Sequence, residues 1–251
     1  MSLVAAAPLV WPFVLVLARV SGVVLTMPFL GAELVPVRAR VALTVAVSFA
    51  LTLAVPGARA SSMPIVVLVG ELALGAASGL VVRIAVGALE LAGEVVGLQM
   101  GLGFGHTVDP LLEAQGSVVS QVFGLVAGTL FFAMNGHLQV MRALADSLRA
   151  VPPGSVVFDP GWVTTLVDAA AAMFLTGVRI AAPLAAALLA GQLAFALLGR
   201  VMPQLNAWGL GFSITIGLGL FGLVLFAPSL TAEVRDLLSV AVADGMRIAG
   251  R

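Results

Sequence analysis

Residues 71–101 read ELALGAASGLVVRIAVGALELAGEVVGLQMG, and this stretch decides the fold of the chain. Its small and charged residues recur at steps of three or four, which places them on one face of a single α-helix. We call this set the polar stripe, and its members are Glu71, Gly75, Gly79, Arg83, Gly87, Glu90, Glu94, Gly97 and Gly101. The rest of the stretch is mostly Val, Leu, Ile and Ala, so the helix is apolar around most of its circumference.

The polar stripe predicts that this helix packs inside an assembly and does not face water. Glycine lets another helix approach closely, and a charged side chain in apolar surroundings needs a partner. Glu90 and Glu94 lie one turn apart and repel each other unless an arginine is near. Candidate partners are Arg83 on the same face and, from other helices, Arg19 or Arg179. The average step exceeds 3.6 residues, which favours a right-handed winding.

The composition is that of a membrane-associated chain. Hydrophobic residues make up 61% of the sequence and charged residues 10%, whereas soluble domains carry about 25% charge. The mean hydropathy is +1.17. A net charge of zero removes the basic patch that nucleic-acid binding requires. The absence of cysteine excludes disulfides and thiol chemistry. The amino terminus lacks a positively charged region, so we expect no cleaved signal peptide.

The remaining apolar stretches also read as helices, because the alternating pattern of strands is absent. They cover residues 3–30, 40–56, 64–104, 117–149, 162–200 and 208–247, with breaks marked mainly by proline and glycine. Six ordinary membrane spans fit poorly, since a span needs about 20 apolar residues and the third stretch is about twice that length. One interpretation is a multi-pass protein with a few buried ion pairs. The other is a chain packed into a protein complex, with much of its length away from lipid.

The longest irregular polar segment, residues 99–116, reads QMGLGFGHTVDPLLEAQG. A metal site is weakly supported, because the chain has only two histidines. The segment is either a surface loop or a loop that plugs a conduit, since irregular backbone at membrane depth must be buried in protein or line a cavity. The residues predicted for the conduit or plug are Gly101, Gly103, Phe104, Gly105, His106, Asp109 and Pro110.

Two further motifs concern catalysis and chain reversal. Ser78 and His137 superficially suggest an intramembrane serine protease, but no oxyanion-hole pattern accompanies them. We therefore expect no catalytic residue, metal or cofactor. Pro203, Gln204 and Asn206 separate two apolar helices, and they predict the turn of a helical hairpin whose glycine faces pack inward.

Several motifs, taken in order, resemble the FliR family of flagellar type III export-gate proteins. The resemblance covers about residues 10–225. The motifs are Arg19-Val-Ser21-Gly22 with Pro28, Pro36-Val-Arg38, Glu71-x3-Gly75, Gly93 with Gln99 and Gly101, Asp109-Pro110, Asn135-Gly136-His137 with Ser147 and Pro152, Pro183, and Pro203-Gln204-x-Asn206. The sequence departs from the family pattern at Trp208, where Phe is common, and at Ser213, where Pro is frequent.

The resemblance implies an all-α fold of membrane-associated helical hairpins, with a FliP-like part in residues 1–160 and a FliQ-like hairpin in residues 161–251. It implies a right-handed helical export gate shared with FliP- and FliQ-type subunits, at the flagellar basal body in the bacterial inner membrane. FlhA- and FlhB-type components are further implied partners, and unfolded flagellar proteins are the implied cargo. The family has no known catalytic residues. The alternative function is a secondary transporter or small channel, which would also explain intramembrane charges and broken helices.

Overall fold

The structure is a computed structural model that describes residues 3–29, 35–55, 64–102, 116–157, 159–201 and 207–250. Within these ranges the chain is helical and contains no β-strand. The helices are α1 Leu3–Thr26, α2 Val37–Ala54, α3 Pro64–Gln99, α4 Val118–Ala133, α5 Gly136–Ala150, α6 Gly161–Val201 and α7 Ala207–Gly250. The all-α fold predicted from the sequence is confirmed.

The helices form two compact units, and neither is a continuous piece of the chain. One unit comprises Met1–Ala85, Phe132–Ala170 and Leu238–Arg251, and the other comprises Val86–Phe131 and Ala171–Leu237. Helices α3, α4, α6 and α7 each contribute residues to both units. The predicted division into residues 1–160 and 161–251 rests on resemblance to FliP- and FliQ-type subunits. The compact units do not test that resemblance, so the division stays a prediction.

The core of the first unit contains the middle of α1 and the first half of α3. Helix α1 buries Leu15, Val16 and Val20, each at most 1% exposed. Helix α3 contributes Leu74 and Val81, which with Ala77 form a cluster that packs against Val156, Trp162, Leu166 and Ala169. Apolar side chains therefore surround the first part of the polar stripe.

Helix α2 buries hydroxyl groups and exposes apolar side chains. Its buried residues are Thr44, Ser48 and Thr52. Each hydroxyl donates a hydrogen bond to the carbonyl four residues earlier, at 2.8, 2.6 and 2.7 Å. These bonds satisfy the hydroxyls within α2 itself. The exposed large side chains of α2 are apolar, and they are Val41, Val45, Phe49 and Leu53.

The apolar stretch 117–149 is not one helix but two. The stretch breaks at Asn135, which adopts a left-handed conformation with φ 57°. The chain bends by 65° at this break between α4 and α5. Asparagine tolerates this conformation better than most residues, and Gly136 then begins α5. The Asn135-Gly136-His137 motif thus ends one helix and starts the next.

Helices α6 and α7 contact each other in antiparallel order within the second unit. A Cβ atom added at Gly191 would lie 3.1 Å from Leu218 Cδ1, and one added at Gly222 would meet Leu184 Cδ1. Contacts therefore move forward along α6 as they move backward along α7. Pro183 lies inside α6 without ending it.

Three described helices are long and apolar enough to cross a membrane, judged by length and composition. They are Val37–Ala54, Ile65–Gln99 and Gly161–Val201, and the bent pair α4–α5 would make a fourth if it counts as one span. Within the described ranges the candidate spans are therefore fewer than the six apolar stretches of the sequence.

Candidate functional site

A buried ion pair lies at the first residue of the polar stripe. Arg19 Nε on α1 donates to Glu71 Oε2 on α3 over 2.6 Å, and the two side chains are 1% and 0% exposed. Arg19 Nη1 donates to the carbonyl and hydroxyl oxygens of Ser147 on α5, both at 3.1 Å. Glu71 Oε1 accepts from the backbone N–H of Gly154 over 2.8 Å. One charge pair thus connects three helices and the turn that follows α5.

The carboxylate that Arg19 neutralises differs from the ones predicted from the sequence. Arg19 was one candidate partner for Glu90 and Glu94, and the structure shows that it pairs with Glu71 instead. Glu71 lies at the margin of the stripe when the stripe is drawn on a straight helix. Its side chain is nevertheless 0% exposed, because burial depends on what packs against a residue and not on its angular position alone.

A small cavity borders this cluster, and Arg19 and Ser78 are among its lining residues. Arg19 Nη2 is buried and has no hydrogen-bond partner among the described residues. Ser78 Oγ donates to the carbonyl of Leu74 over 2.9 Å. That bond is an ordinary intrahelical contact of a serine, so the geometry at Ser78 gives no sign of an activated nucleophile.

The glycines of the stripe next to Glu71 let α1 and α3 touch backbone to backbone. A Cβ atom added at Gly75 would lie 2.9 Å from the carbonyl carbon of Arg19, and one at Gly79 would lie 2.8 Å from the Val23 carbonyl oxygen. On α1, a Cβ at Gly22 would lie 2.7 Å from the Ala76 nitrogen. Small residues on both helices produce this close approach, as in other membrane helix pairs.

The middle of the polar stripe is open in this chain. Arg83 and Glu90 are exposed, and Gly87 lies beside Met173 of α6, whose sulfur would be 3.2 Å from an added Cβ. The stripe as a whole was expected to face other helices. Its two ends do so here, whereas its central charges lie on the surface of the chain.

The last part of the stripe receives the amino-terminal end of α4. Glu94 Oε2 accepts from the backbone N–H of Ser117 over 2.8 Å, and Ser120 Oγ donates to the Glu90 carbonyl over 2.9 Å. Added Cβ atoms at Gly93 and Gly97 would collide with Ser120 and Ser117. A carboxylate is favourable beside a helix amino terminus, whose free N–H groups carry partial positive charge. A backbone amide, that of Ser117, thus takes the place of the expected arginine partner of Glu94.

Helix α3 ends in a Schellman motif immediately after the stripe. Leu102 N–H donates to the Gly97 carbonyl and Gly101 N–H to the Leu98 carbonyl, each over 3.0 Å. Gly101 has φ +80°, the left-handed conformation that this motif requires and glycine adopts without strain. The helix therefore stops at Gln99, several residues before the end of the apolar stretch 64–104.

Both ends of the predicted loop are attached to α3. The chain leaves α3 through Gly101, and it returns at Gly116, which has φ +76° and lies beside Glu94. The other predicted plug residues lie outside the described residues, and these are Gly103, Phe104, Gly105, His106, Asp109 and Pro110. The predicted hairpin-turn residues Pro203, Gln204 and Asn206 also lie outside them.

The structure adds Gly154 and Ser117, which were not selected from the sequence, and it gives a hydrogen-bond partner to Ser147, which was named there only within a family motif. Ser147 and Gly154 complete the buried cluster, and Ser117 caps α4 by accepting the Ser120 N–H over 3.1 Å. The capping serine had a local signal, since serine commonly precedes a helix. The only signal for Ser147 was its place in a family motif, and Gly154 had none, because their partners lie 128 and 83 residues away in the chain.

Residues 10–240 match the family described as bacterial export proteins, family 1. The chain is 31% identical over 247 residues to the flagellar biosynthetic protein FliR of Escherichia coli strain K12, covering 93% of this chain and 92% of the relative. It is 33% identical over 242 residues to FliR of Pectobacterium carotovorum, covering 91% and 90%. For FliR of Aquifex aeolicus the identity is 29% over 222 residues, covering 87% and 86%.

These matches do not favour the alternative of a secondary transporter or small channel. They extend over both compact units and include every residue of the buried cluster and the polar stripe. The resemblance inferred from scattered motifs is confirmed, and the chain belongs to the FliR family of bacterial flagellar export proteins.

Proposed function

We propose that this chain is a core subunit of the flagellar type III export gate, in the basal body of the bacterial inner membrane. The observation that carries the proposal is the family match over residues 10–240, together with relatives named flagellar biosynthetic protein. In this role the chain forms part of the conduit for unfolded flagellar proteins. The membrane location is supported by α2, α3 and α6, which are long and apolar enough to span a bilayer.

The proposed partners are FliP- and FliQ-type gate subunits and FlhA- and FlhB-type export components. The exposed charges of α3 support a polypeptide partner. Arg83 and Glu90 are exposed on a helix that is otherwise apolar, and such charges are costly in lipid unless paired. A neighbouring subunit that supplies polar or oppositely charged groups would compensate them.

The proposed two-part organisation is a FliP-like part in residues 1–160 and a FliQ-like hairpin in residues 161–251. Its support is the antiparallel contact of α6 with α7, the two helices of the second part. Both expose large apolar side chains, among them Phe174 and Leu193 on α6 and Phe221 and Val224 on α7. Such a surface suits a two-helix partner subunit of similar shape.

We further propose that the segment from Gly101 to Gly116 plugs or narrows the conduit. Its support is the anchoring of both ends on α3, through the Schellman motif at Gly101 and the bond from Ser117 to Glu94. A segment held at both ends can fill a pore without being carried away by a passing chain. Glycine at each anchor supplies a hinge.

We also propose that the chain has no enzymatic activity of its own. Support comes from the family, whose description is that of export proteins, and from the ordinary intrahelical bond of Ser78. Energy for export would then be supplied by other components.

Copurification tests the gate assignment. The tagged chain, coexpressed with FliP- and FliQ-type subunits, should purify with both in one complex, and imaging should show a closed helical assembly. Deletion of its gene should abolish secretion of flagellar proteins, and a plasmid copy should restore it. Normal secretion in the deletion strain would refute the assignment.

Deletion of residues 106–115 tests the plug. We expect the deletion variant to assemble and to leak ions, because the polar and glycine-rich segment would no longer occupy the pore. Sodium influx and growth in high salt measure the leak. An assembled deletion variant with wild-type sodium influx would return the segment to the status of a surface loop.

A further inference from the structure

The residue that follows the last residue of α3 is held in a space left by a glycine of α7. Met100 is 0% exposed. A Cβ atom added at Gly219 would lie 2.5 Å from Met100 Sδ and 2.6 Å from its Cγ and Cε. Because Met100 is completely buried, it has little room to move aside. Gly219 therefore provides the volume that the Met100 side chain fills.

Helix α6 satisfies a carbonyl at the end of α3 that the backbone does not. The carbonyls of Val96, Gly97 and Leu98 accept from Met100, Leu102 and Gly101, respectively. The carbonyl of Gln99 accepts from Gln192 Nε2 over 2.8 Å. Carbonyls in the last turn of a helix need such outside donors, and an unsatisfied carbonyl in apolar surroundings is costly.

Helix α7 also covers the glycine that follows Met100. A Cβ atom added at Gly101 would lie 2.6 Å from Phe212 Cε2. Contacts from α6 and α7 therefore hold three successive residues, Gln99 to Gly101, and all of these contacts lie within one compact unit.

We infer that Gln192, Phe212 and Gly219 form a clasp on the carboxyl end of α3, and that this clasp positions the point where the chain leaves the helix. The expected effect of the clasp on ion leakage rests on the proposed plug role of the segment from Gly101 to Gly116. The clasp links the hairpin of α6 and α7 to the exit of the segment that follows α3. A change in the hairpin would then displace the first residue of that segment, Gly101, without any substitution within the segment.

Two variants release the clasp by different means. Gly219→Leu adds bulk where Met100 lies, and Gln192→Met removes the donor to Gln99 at nearly constant size. In cells that express the gate with its partner subunits, we expect each variant to raise sodium influx per assembled complex severalfold, towards the level of the 106–115 deletion. Copurification of partner subunits measures assembly in the same cells.

Matched variants separate the clasp from general damage. Gly217 lies on the same helix with nothing within 4 Å of an added Cβ, so Gly217→Ala, which adds a single carbon, should leave sodium influx per assembled complex at the wild-type level. Met100→Ala should restore a low leak to Gly219→Leu, because it vacates the space that the leucine needs. Rescue by Met100→Ala would show that the effect of Gly219→Leu arises at its contact with Met100, and copurification of partner subunits separates a leak from loss of folding.

The outcome for Gln192→Met decides the inference even if Gly219→Leu fails to assemble. If the assembled Gln192→Met variant shows wild-type sodium influx while the 106–115 deletion leaks, the clasp is wrong and the plug proposal is unaffected. Wild-type influx in both would overturn the clasp and the plug together. Raised influx in Gln192→Met, with normal copurification of partners, would support the clasp.

Discussion

Replacement of Glu71 by glutamine should destabilise the protein far more than its small change in size suggests. Both carboxylate oxygens face donors: Arg19 Nε–H at one and the Gly154 N–H at the other. A glutamine amide has one oxygen that accepts and one NH2 group that only donates. In either orientation its NH2 group would therefore point at another donor, and Arg19 would remain buried without a countercharge.

The expected size of the effect follows from the burial of this pair. Removal of one partner from a buried ion pair costs about 3–5 kcal/mol, chiefly because the other charge is left uncompensated. With side chains 1% and 0% exposed, Glu71→Gln should fall in this range. For a chain of this length, such a loss corresponds to a decrease in thermal midpoint on the order of 10 °C.

The assay is stepwise heating of the detergent-purified complex, followed by measurement of the soluble folded fraction. Asp146→Asn is the matched control, because Asp146 and Arg149 form an exposed pair with side chains 58% and 64% exposed. Exposed pairs contribute about 0.2–1 kcal/mol, so this variant should change the midpoint little. The double variant Arg19→Met with Glu71→Met should lose less than Glu71→Gln, since no buried charge remains unpaired. Equal midpoints for Glu71→Gln and Asp146→Asn would refute the reasoning.

Two further predictions concern packing and partner subunits. Gly75→Ala should destabilise the same complex by about 1–3 kcal/mol through overpacking, because the added atom meets the backbone of Arg19. The control Gly217→Ala, in open space, should be neutral or stabilising by up to about 1 kcal/mol. A higher thermal midpoint for Gly75→Ala than for the wild type would contradict the close approach of α1 and α3. The chain expressed without partner subunits should aggregate or be degraded, because exposed Arg83 and Glu90 would each cost about 2.5–3.5 kcal/mol in lipid. Size-exclusion chromatography in mild detergent checks this, and a monodisperse folded monomer would count against it.

Local sequence determined the helices and their ends, because those depend on contacts within a few residues. The six apolar stretches of the sequence correspond to seven helices among the described residues. The additional break lies at Asn135, within the Asn135-Gly136-His137 motif. Gly101 ended α3 through a left-handed conformation that glycine adopts readily. Composition alone placed the chain in the membrane class, and motifs spread along the chain were sufficient for the family.

Tertiary structure decided which group each residue of the polar stripe meets. Periodicity gives a residue's direction about its own helix axis, but it does not say which other helix lies in that direction. Glu71 therefore pairs with Arg19, Glu94 accepts from the backbone N–H of Ser117, and Arg83 is exposed. All three nevertheless belong to one repeating pattern. The sequence by itself determined that a polar face exists on α3. Only the packing of helices distant in the chain decided that its two ends are buried and its middle is open.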